Sequence, residues 1–377
     1  MFSWGYSPDV LTNRVILVKI KKTDVNDNGN ANNMIPQNRR ITIKHVAQEA
    51  GVSTQTISRV INCRPDVAPE TRQKILEIIE RLGYQPSELA RSLIHRRSLT
   101  LGVVTAGLKY IGPNRTLNGI TTKAEEIGYS ILLKELPNFS VDTVQPILQF
   151  LLARQVDGIL WAVQEVNNNR DWLADGLEGI QVPIIFLTME PRPGIPMISI
   201  DNYAGGVLAT QHLLDQGRRK IAHLSGPLDW WESNQRKKGW KDTLEKAGLQ
   251  VKENHAVEGN WSSASGQLAF QQLLNSYPEM DAIFVANDQM ALTVLRMAGQ
   301  KGLRVPHDLA VVGFDNIAES AYFWPSLTTI NHDQHELGCR AVRELVNHIE
   351  ALRRNEKVKA QNILLTPELV IRESSTI

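Results

Sequence analysis

TIKHVAQEAGVSTQTISRVINCRPDVAPETRQKILEIIERLGYQPSELARSL, residues 42–93, is the stretch that decides the fold of this chain. A short helix is predicted over residues 43–49, with Thr42 at its N-cap, and Gly51 stands where the chain must turn. The Ser53 hydroxyl can accept a hydrogen bond from a backbone N–H and so marks the start of a second helix. The pattern therefore indicates two short helices joined by a turn.

The second predicted helix, which continues to about Asn62, has two different faces. Helical spacing directs four aliphatic side chains toward the first helix: Val52, Ile57, Val60 and Ile61. The other side collects five polar side chains: Thr54, Gln55, Ser58, Arg59 and Asn62. Such a pair is typical of a helix-turn-helix, whose second helix enters the DNA major groove, where glutamine can bond adenine and arginine can bond guanine. The alternative is a surface helical pair that is merely polar on its outer side.

A third helix is predicted over residues 69–82, because Pro69 suits the first helical position and Gly83 suits the exit. Its apolar stripe should close a three-helix core and contains Ile75, Ile78, Ile79 and Leu82. After a break at residues 84–86, residues 87–93 have the pattern of one more short helix. A helix of that length is unstable alone in water, so we expect it to form only when docked, for example in a DNA groove.

Charge is distributed unevenly along the chain. The 377 residues contain 41 Lys and Arg and 40 Asp and Glu, so the whole chain is nearly neutral. Within residues 39–97, however, basic side chains outnumber acidic ones. A local basic region on a neutral protein is typical of a small DNA-binding module attached to a larger body.

Cysteine content and hydropathy limit the compartment. Cys63 and Cys339 are the only cysteines and stand far apart, which fits a reducing cytosol and no disulfide framework. No apolar run approaches the length that spans a bilayer, and the N-terminus lacks the order of a secretory signal. The sequence therefore predicts a cytoplasmic protein with no membrane partner.

The first third of the chain resembles the N-terminal domain of the LacI/GalR family of bacterial transcriptional regulators. Three runs carry the resemblance: VAQEAGVSTQTISRVIN, TRQKILEIIERLGYQP and ELARSL. The similarity extends from about residue 41 to about residue 371. It implies a helix-turn-helix domain, a hinge helix and a two-lobed body similar to periplasmic sugar-binding proteins. It also implies a homodimer that reads a palindromic DNA operator.

Roles in DNA binding follow from the residues and from the resemblance together. Thr54, Gln55 and Arg59 are predicted to reach base edges. The side chains predicted to touch phosphate or to support the helices are Thr42, Ser53, Thr56, Ser58 and Asn62. In the family, paired hinge helices lie in the minor groove and a leucine wedges into the central base step, and ELARSL places this leucine at Leu93, with Ala90 packed nearby.

Domain boundaries follow from changes in composition and pattern. Residues 1–40 contain the polar run NDNGNANN and are predicted to be a disordered N-terminal extension. Residues 1–33 are either an artefact of the chosen start site or an accessory arm that touches DNA. The helix-turn-helix domain is assigned residues 41–86, the hinge helix and linker residues 87–99, and the effector-binding and dimerisation domain residues 100–377.

Beyond residue 100, short strand-like runs alternate with helical runs, and the rhythm restarts near residue 197. This alternation predicts an α/β body of two lobes, each a parallel sheet covered by helices. The first lobe is expected to contain about residues 100–198 and 327–334, and the second about 199–326 and 335–377. The segments that cross between the lobes are expected near Thr188, Asp201 and Ser326.

The ligand cleft is expected beyond the C-terminal ends of the strands, where open parallel sheets bind ligands. Arg236 lies near the start of a predicted helix, where its guanidinium can fork onto two hydroxyls or a carboxylate. Asn287 and Asp288 follow the strand-like run that starts at Ala282, and Asp315 follows LAVVGF. Trp261 follows a further predicted strand and could stack on a sugar ring.

The resemblance implies effector contacts at Arg236, Asn287 and Asp315, with Trp261 over the ligand. The candidate set is completed by Tyr110, Asn114, Thr188, Trp230 and His332. Thr188 stands where some sugar-responsive members of the family carry an acid, which leaves the ligand open.

Several of these residues also have a purely structural interpretation. Arg236 could form a surface salt bridge, Asp288 is expected to be a helix N-cap, and the adjacent Trp230 and Trp231 could fill the core. His332 and His335 have no third ligand beside them, so we expect a structural role and no metal site.

The leading hypothesis is a transcriptional repressor that a small carbohydrate releases from its operator. The alternatives are a regulator that responds to a nucleoside or purine as corepressor, and a sugar-binding protein with no regulatory role. An enzyme is not expected, because the chain has no dinucleotide fingerprint, phosphate loop or nucleophile elbow, and no nucleophile accompanies Asp288 and Asp315. No cofactor is predicted.

Overall fold

The structure is a computed structural model that describes residues 41–61, 64–84, 97–139, 144–174, 177 and 179–376. The chain divides into two compact units, residues 1–86 and 87–377. The predicted N-terminal extension, 1–40, and the predicted hinge helix, 87–93, lie outside the described residues. Within the described part, no helix is long and apolar enough to cross a bilayer.

Within its described residues, 41–61 and 64–84, the first unit contains three helices, α1 (Ile43–Ala50), α2 (Thr54–Ile61) and α3 (Pro69–Leu82). Its buried core includes Val46, Ile57, Val60, Ile75 and Ile78. Gly51 ends α1 with φ 69°, in the left-handed region that glycine adopts without steric cost. Lys74 and Arg72 donate from α3 to the backbone oxygens of Ala50 and Val60, at 3.4 Å each. The three helices predicted from the sequence are confirmed, and α3 fixes the ends of the other two.

The second unit begins with the elements of a first lobe. They are β1 (Thr100–Ala106), α4 (Ile111–Glu126), β2 (Ser130–Leu136), α5 (Gln145–Leu152), β3 (Gly158–Ala162), β4 (Ile184–Leu187) and β5 (Met197–Ile200). The elements of a second lobe follow. They are α6 (Asn202–Asp215), β6 (Ile221–Ser225), α7 (Trp231–Lys246), β7 (Ala256–Glu258), α8 (Ser263–Ser276), β8 (Ala282–Val285), α9 (Asp288–Gln300), β9 (Ala310–Phe314) and β10 (Thr328–Asn331). The unit closes with α10 (Gln334–Arg353), β11 (Asn362–Leu365) and β12 (Glu368–Val370).

Each lobe is built on a six-stranded sheet. The strand orders are β11-β5-β4-β3-β1-β2 and β12-β10-β9-β8-β6-β7. Neighbouring strands are parallel, except that β12 runs antiparallel to β10. Inner strands such as β3, β4 and β6 are buried along their whole length, because helices cover both faces of a parallel sheet. The α/β fold class predicted from the sequence is confirmed for the described residues.

The predicted assignment of the C-terminal elements to the lobes is wrong. Strand β10 (328–331) pairs with β9 in the second sheet, whereas residues 327–334 were expected in the first lobe. Helix α10 packs on α4, and β11 pairs with β5, so both belong to the first lobe rather than to the second. The sequence pattern could not show this exchange, because strand pairing between distant segments is not a local property.

The crossing segments change accordingly. The chain passes between the lobes at Asp201, as predicted, and again at residues 332–333 and 366–367. Thr188 and Ser326 are not crossing points, because the strands on either side of each belong to one sheet.

Paired glycines bring one pair of helices in each lobe into unusually close contact. In the first lobe, a Cβ on Gly119 would collide with the His335 carbonyl, and a Cβ on Gly338 with that of Thr116. In the second lobe, Gly206 and Gly239 allow the same approach between α6 and α7. These crossings fix α4, α7 and α10, whose N-terminal turns carry cleft residues.

Candidate functional site

The polar face of α2 is open to solvent. Thr54, Gln55 and Arg59 are exposed, whereas Thr56 and Ser58 are half-buried. The opposite side of the helix is anchored by Ile57 and Val60 in the core. The exposed side chains are therefore those that the sequence assigned to base edges, while Asn62, Ala90 and Leu93 lie outside the described residues.

The two helices of the motif begin at the predicted residues. The Ser53 hydroxyl accepts a hydrogen bond from the Thr56 N–H at 3.1 Å, which caps α2. At the start of α1, the Thr42 N–H donates to Nδ1 of His45 at 3.1 Å. Neither contact uses the side chains predicted to reach base edges, Thr54, Gln55 and Arg59.

Arg59 has an exposed acidic neighbour. Its Nε lies 3.5 Å from the carboxylate of Asp66, and both side chains are about half exposed. Exposed ion pairs contribute little to stability. Arg59 can therefore leave Asp66 for a nucleic-acid partner at small cost.

Both lobes line a cleft that holds about 480 Å³ of empty space, part of it continuous with the solvent. The first lobe contributes Tyr110, Ile111, Gly112, Pro113, Gln164 and Gln334. The second lobe contributes Trp230, Glu232, Arg236, Trp261, Asn287, Gln289 and Asp315. A concave site between two lobes that combines apolar and polar side chains is typical of small-molecule binding.

Arg236 is buried in the wall of this cleft. Its Nε donates to Oδ1 of Asn202 at 2.8 Å and its Nη1 donates to the Ala286 carbonyl at 2.5 Å. Nη1 also lies 3.7 Å from Oδ1 of Asp315. Burial lowers the pKa of Arg236, while the carboxylates of Asp315 and Glu232 raise it. The alternative of a surface salt bridge is wrong, because this ion pair is inside the molecule.

Asp315 is held in an unusual backbone conformation at the end of β9. Its φ of 111° lies in the region that favours glycine. The Asp315 N–H donates to the Ile330 carbonyl at 2.9 Å, and His332 Nε2 lies 2.8 Å from Oδ1 of Asp315. Burial lowers the pKa of His332, so a neutral ring with its proton on Nε2 satisfies this geometry. His332 therefore supports Asp315 from behind and does not itself line the cleft.

The N-cap of α9 is Asn287 and not Asp288, which was predicted to be the cap. Asn287 is the N-cap, since its Oδ1 accepts from the Met290 N–H at 2.9 Å and its Nδ2 donates to the Trp261 carbonyl at 2.9 Å. Asp288 was expected to be the cap, but it is fully buried behind the cleft. Its carboxylate accepts from the Ile317 N–H and from the hydroxyls of Ser320 and Thr329. Asp288 therefore fastens α9 to the neighbouring strand ends.

Aromatic side chains from both lobes form one wall of the cleft. Trp230 meets Tyr110 and Phe139 of the first lobe edge-on, with ring centroids 5.6 Å and 4.7 Å apart. Trp261 meets Trp230 in the same way at 5.7 Å. Trp230 is also part of the buried core, so the two roles considered for it coexist. The neighbouring Trp231 is half-buried at the first position of α7.

Besides His332, two further predicted effector contacts do not line this cleft. Asn114 is exposed on the outer side of α4. Thr188 is buried after β4, where its N–H donates to the Ile198 carbonyl and its own carbonyl accepts from the Glu165 N–H, each at 3.1 Å. Its φ of 55° turns the chain at this point. Both predictions fail because local backbone geometry, a helix face for Asn114 and a turn for Thr188, decides which side chains reach the cleft.

Four polar cleft residues are absent from the sequence-based set: Glu232, Gln164, Gln289 and Gln334. Glu232 stands four residues before Arg236, a spacing that places both on one helix face and could have revealed it. Gln334 was missed because α10 was assigned to the other lobe. Gln164 follows β3 and carries no distinctive local signal.

A segment that we call the strap, residues 164–170, joins the lobes beside Trp230. The Asn167 N–H donates to the Asp229 carbonyl at 2.7 Å, and the Trp231 N–H donates to the Glu165 carbonyl at 3.1 Å. The Glu165 carboxylate accepts from Arg192 and from the Glu190 N–H. The strap is therefore anchored in the first lobe and bonded to the second.

The histidine pair has no metal-binding partner set. His332 is bonded to Asp315, and Nδ1 of His335 lies 3.6 Å from Sγ of Cys339. Among the described residues, no group of three or more His, Cys, Asp or Glu side chains is placed to hold a metal ion.

Comparison with known proteins supports both units. The family model described as bacterial regulatory proteins, lacI family, matches residues 42–87. The model described as periplasmic binding protein-like domain matches residues 210–375. A helix-turn-helix unit followed by such a two-lobed body defines a DNA-binding transcriptional regulator.

Individual relatives match along most of the chain. Catabolite control protein A of Priestia megaterium is 35% identical over 337 residues, which cover 89% of this chain and 99% of the relative. The HTH-type transcriptional repressor PurR of Mannheimia succiniciproducens is 35% identical over 336 residues, 88% of this chain and 98% of that protein. The chain therefore belongs to the LacI family of bacterial regulatory proteins.

Solved structures give the same result. The lac repressor dimer bound to operator and the anti-inducer ONPF matches with a TM-score of 0.81 and 32% identity, over 90% of this chain and 100% of that one. The transcriptional regulator CelR in complex with cellobiose matches with a TM-score of 0.65 and 30% identity, over 89% and 100%. These relatives are named as regulators and repressors rather than as enzymes.

Proposed function

We propose that this chain is a transcriptional repressor that binds a palindromic operator as a homodimer and leaves it when a small carbohydrate occupies the cleft. The observation that carries the proposal is an exposed polar recognition helix in the same chain as a cleft with an aromatic wall. The relative named as a transcriptional repressor and the lac repressor dimer bound to operator support the DNA-binding and dimeric parts.

The operator part is tested without knowledge of the natural site. Selection from a random duplex library with the full chain should return a two-fold symmetric sequence, because each recognition helix reads one half-site. Affinity for that sequence should fall steeply as salt rises, because phosphate contacts release counterions. Asymmetric selected sites, or binding that ignores salt, would contradict this part of the proposal.

We place the dimer contact on the aromatic surface formed by Tyr322 and Trp324. These side chains are 88% and 90% exposed, unusual values for large aromatic groups. Exposed aromatic patches of this kind mark protein contacts, and the dimer of the similar lac repressor favours a second copy of this chain as the partner.

The dimer proposal has a matched control. A double variant, Tyr322→Ser with Trp324→Ser, should sediment as a monomer at concentrations at which the unmodified chain is a dimer. Leu268→Ser removes another strongly exposed apolar side chain, on α8, and should leave the dimer intact. If the Leu268→Ser variant were monomeric and the double variant dimeric, the dimer contact would not lie at Tyr322 and Trp324.

A carbohydrate suits the cleft because sugars combine hydroxyl groups with apolar ring faces. Trp230, Trp261 and Tyr110 offer apolar surface, and the N–H of Trp261 has no acceptor within the described residues. Polar groups that converge between aromatic side chains are typical of sites that orient a small polar ligand. The complex of the similar regulator CelR with cellobiose supports the same ligand class.

A purine corepressor is the second candidate, since PurR repressors are among the relatives. A thermal-shift screen of saccharides, nucleosides and purines against the full chain separates the two. A ligand at a hundred times its Kd adds about 2.7 kcal/mol of stability. A purine that stabilises the chain and strengthens operator binding, while every saccharide fails, would replace the carbohydrate proposal.

A further inference from the structure

Glu232 presents a buried carboxyl to the effector cleft. Its side chain is 8% exposed on the first turn of α7 and lines the cleft together with Arg236. Among the described residues, Arg236 attracts this carboxyl electrostatically, but no group forms a hydrogen bond with it. A carboxyl in this position is available to accept hydrogen bonds from donors of a molecule in the cleft.

Gln164 presents a second acceptor from the opposite lobe. Its side chain is 6% exposed and lines the same cleft. Its Oε1 has no hydrogen-bond partner in the described part of the chain. The backbone bond between Glu165 and Trp231 holds these two regions of the chain together. Each lobe therefore contributes one acceptor that lacks a donor.

The one cationic side chain among the described residues that line the cleft already has partners within the protein. Three charged side chains line the cleft: Arg236, Glu232 and Asp315. Arg236 donates to Asn202 and Ala286 and pairs with Asp315. Arg115, from the first lobe, donates to the Asp315 backbone oxygen at 3.4 Å. Two carboxyls thus share one guanidinium, and an anionic ligand would meet more carboxyl groups than guanidinium groups among the charged side chains of the wall.

We infer that Glu232 and Gln164 determine specificity in the cleft by accepting hydrogen bonds from hydroxyl or ammonium groups of the effector. An effector with a phosphate or carboxylate at that position is disfavoured when Glu232 is ionised, because it would place negative oxygens against a buried carboxylate without a donor between them. The inference rests on the proposed function, since it specifies which carbohydrate the cleft accepts.

The test compares four forms of the full chain: the unmodified protein, Glu232→Ala, Glu232→Gln and Glu245→Ala. Glu245 is an exposed acid on the same helix and serves as the matched control. The probes are cellobiose, lactose, maltose and glucose, together with glucosamine and glucose 6-phosphate. Binding is measured by calorimetry, and circular dichroism with operator binding checks that each variant is folded.

We expect a neutral sugar or glucosamine to bind the unmodified chain and the Glu245→Ala variant alike. Glu232→Ala should weaken that binding at least tenfold, which corresponds to about 1.4 kcal/mol. Glucose 6-phosphate should bind more weakly than glucose. If glucosamine binds the unmodified chain better than glucose does, and this difference disappears in Glu232→Gln, the group that donates to Glu232 is an ammonium. If glucosamine binds the unmodified chain no better than glucose, the donating group is a hydroxyl.

Different failures have different meanings. If none of the sugars binds the unmodified chain, the proposed carbohydrate function fails and the inference fails with it. If a neutral sugar binds the unmodified chain and both Glu232 variants within twofold, the function stands and the inference is wrong. Tighter binding of glucose 6-phosphate than of glucose also overturns the inference. Should Glu232→Ala not fold, the Glu232→Gln comparison decides.

Discussion

At the scale of the single residue, burial determines the pKa of Glu232. Loss of solvent raises the pKa of this carboxyl to about 7, the guanidinium of Arg236 opposes the rise, and the carboxylate of Asp315 adds to it. The folded protein therefore holds this proton over a pH range in which the unfolded chain has released it. The group consequently links stability to pH.

The sign of that link follows from the raised pKa. At pH values below the ordinary pKa of a glutamic acid, Glu232 is protonated in both the folded and the unfolded state. Its contribution to the free energy of unfolding is then fully present. As the pH rises toward 7, the unfolded chain ionises first, so the free energy of unfolding decreases. Without ligand, Glu232→Gln should therefore stabilise the protein more at pH 8 than at pH 5. The difference should reach at most about 3 kcal/mol.

Urea unfolding at the two pH values measures this difference. Glu245→Gln, at an exposed position on the same helix, should change the free energy of unfolding equally at both. A Glu232→Gln effect that is the same at pH 5 and pH 8 would show that the carboxyl is ionised in the folded protein throughout.

The residues that sequence reasoning found and missed differ in a physical way. Arg236 and Asp315 lie beyond the C-terminal ends of strands, and this position can be predicted from the sequence. Thr188 and Asn114 follow strands too, but the backbone turns them away from the cleft. Side-chain direction at a strand end depends on φ and on contacts with distant segments, and neither is encoded locally.

At the scale of the element, α2 has one face that packs in the core and another that is exposed to solvent. Ile57 and Val60 hold the helix in the core, whereas Gln55 and Arg59 face outward and make no core contact. Changes on the outer face should therefore affect binding without affecting folding.

Gln55→Ala and Arg59→Ala should each weaken binding to the selected operator by about 1–3 kcal/mol, as for a lost bidentate base contact. Thermal unfolding should remain within about 0.5 kcal/mol of the unmodified protein. Gln73→Ala, an exposed glutamine on α3, is the matched control for operator affinity measured by fluorescence anisotropy. An equal loss with Gln73→Ala would show that α2 has no special role in recognition.

The glycine crossings give a second prediction for an element. Gly338→Ala places a methyl against the Thr116 carbonyl on α4, where only backbone could move aside. The variant should lose about 1–3 kcal/mol of stability, as for an overpacked core position. Gly299→Ala, in α9 with open space around it, should be neutral or gain up to about 1 kcal/mol. Urea denaturation measures both, and similar stability of the two variants would contradict the close crossing.

The same scale explains which parts of the fold were predictable. The three-helix unit follows from caps, a glycine turn and periodic apolar positions, all within residues 42–83. Residues 362–370, in contrast, have the pattern of one extended segment but supply β11 to one sheet and β12 to the other. Their pattern indicates extended structure, but partners come from segments far away in the chain.

At the scale of the whole body, the strap provides a direct link between the lobes. Its backbone bonds to Asp229 and Trp231 exist only while the lobes are close at this edge. A ligand that favours one lobe arrangement and an operator that favours another must weaken each other by the same factor. The strap bonds therefore contribute to the energy difference that an effector has to change.

Trp231→Pro isolates one of these bonds. Residue 231 is the first position of α7, where proline is tolerated, and the substitution removes the N–H that donates to the Glu165 carbonyl. Relative to Trp231→Ala, which keeps the N–H, the Kd for the sugar that binds should rise about fivefold, the value of one hydrogen bond of about 1 kcal/mol. Calorimetry measures the ratio, and equal Kd values in the two variants would show that the bond does not contribute to closure.

The return of the C-terminal residues to both sheets has a consequence for synthesis on the ribosome. Strands β11 and β12 complete one edge of each sheet, and Ser375 then bonds His212 at 2.7 Å inside the second lobe. The three-helix unit is complete within the first 86 residues and can fold while translation continues. Neither sheet of the body can be completed until residues 362–370 have emerged, so a nascent chain acquires its helix-turn-helix unit well before its two lobes are complete.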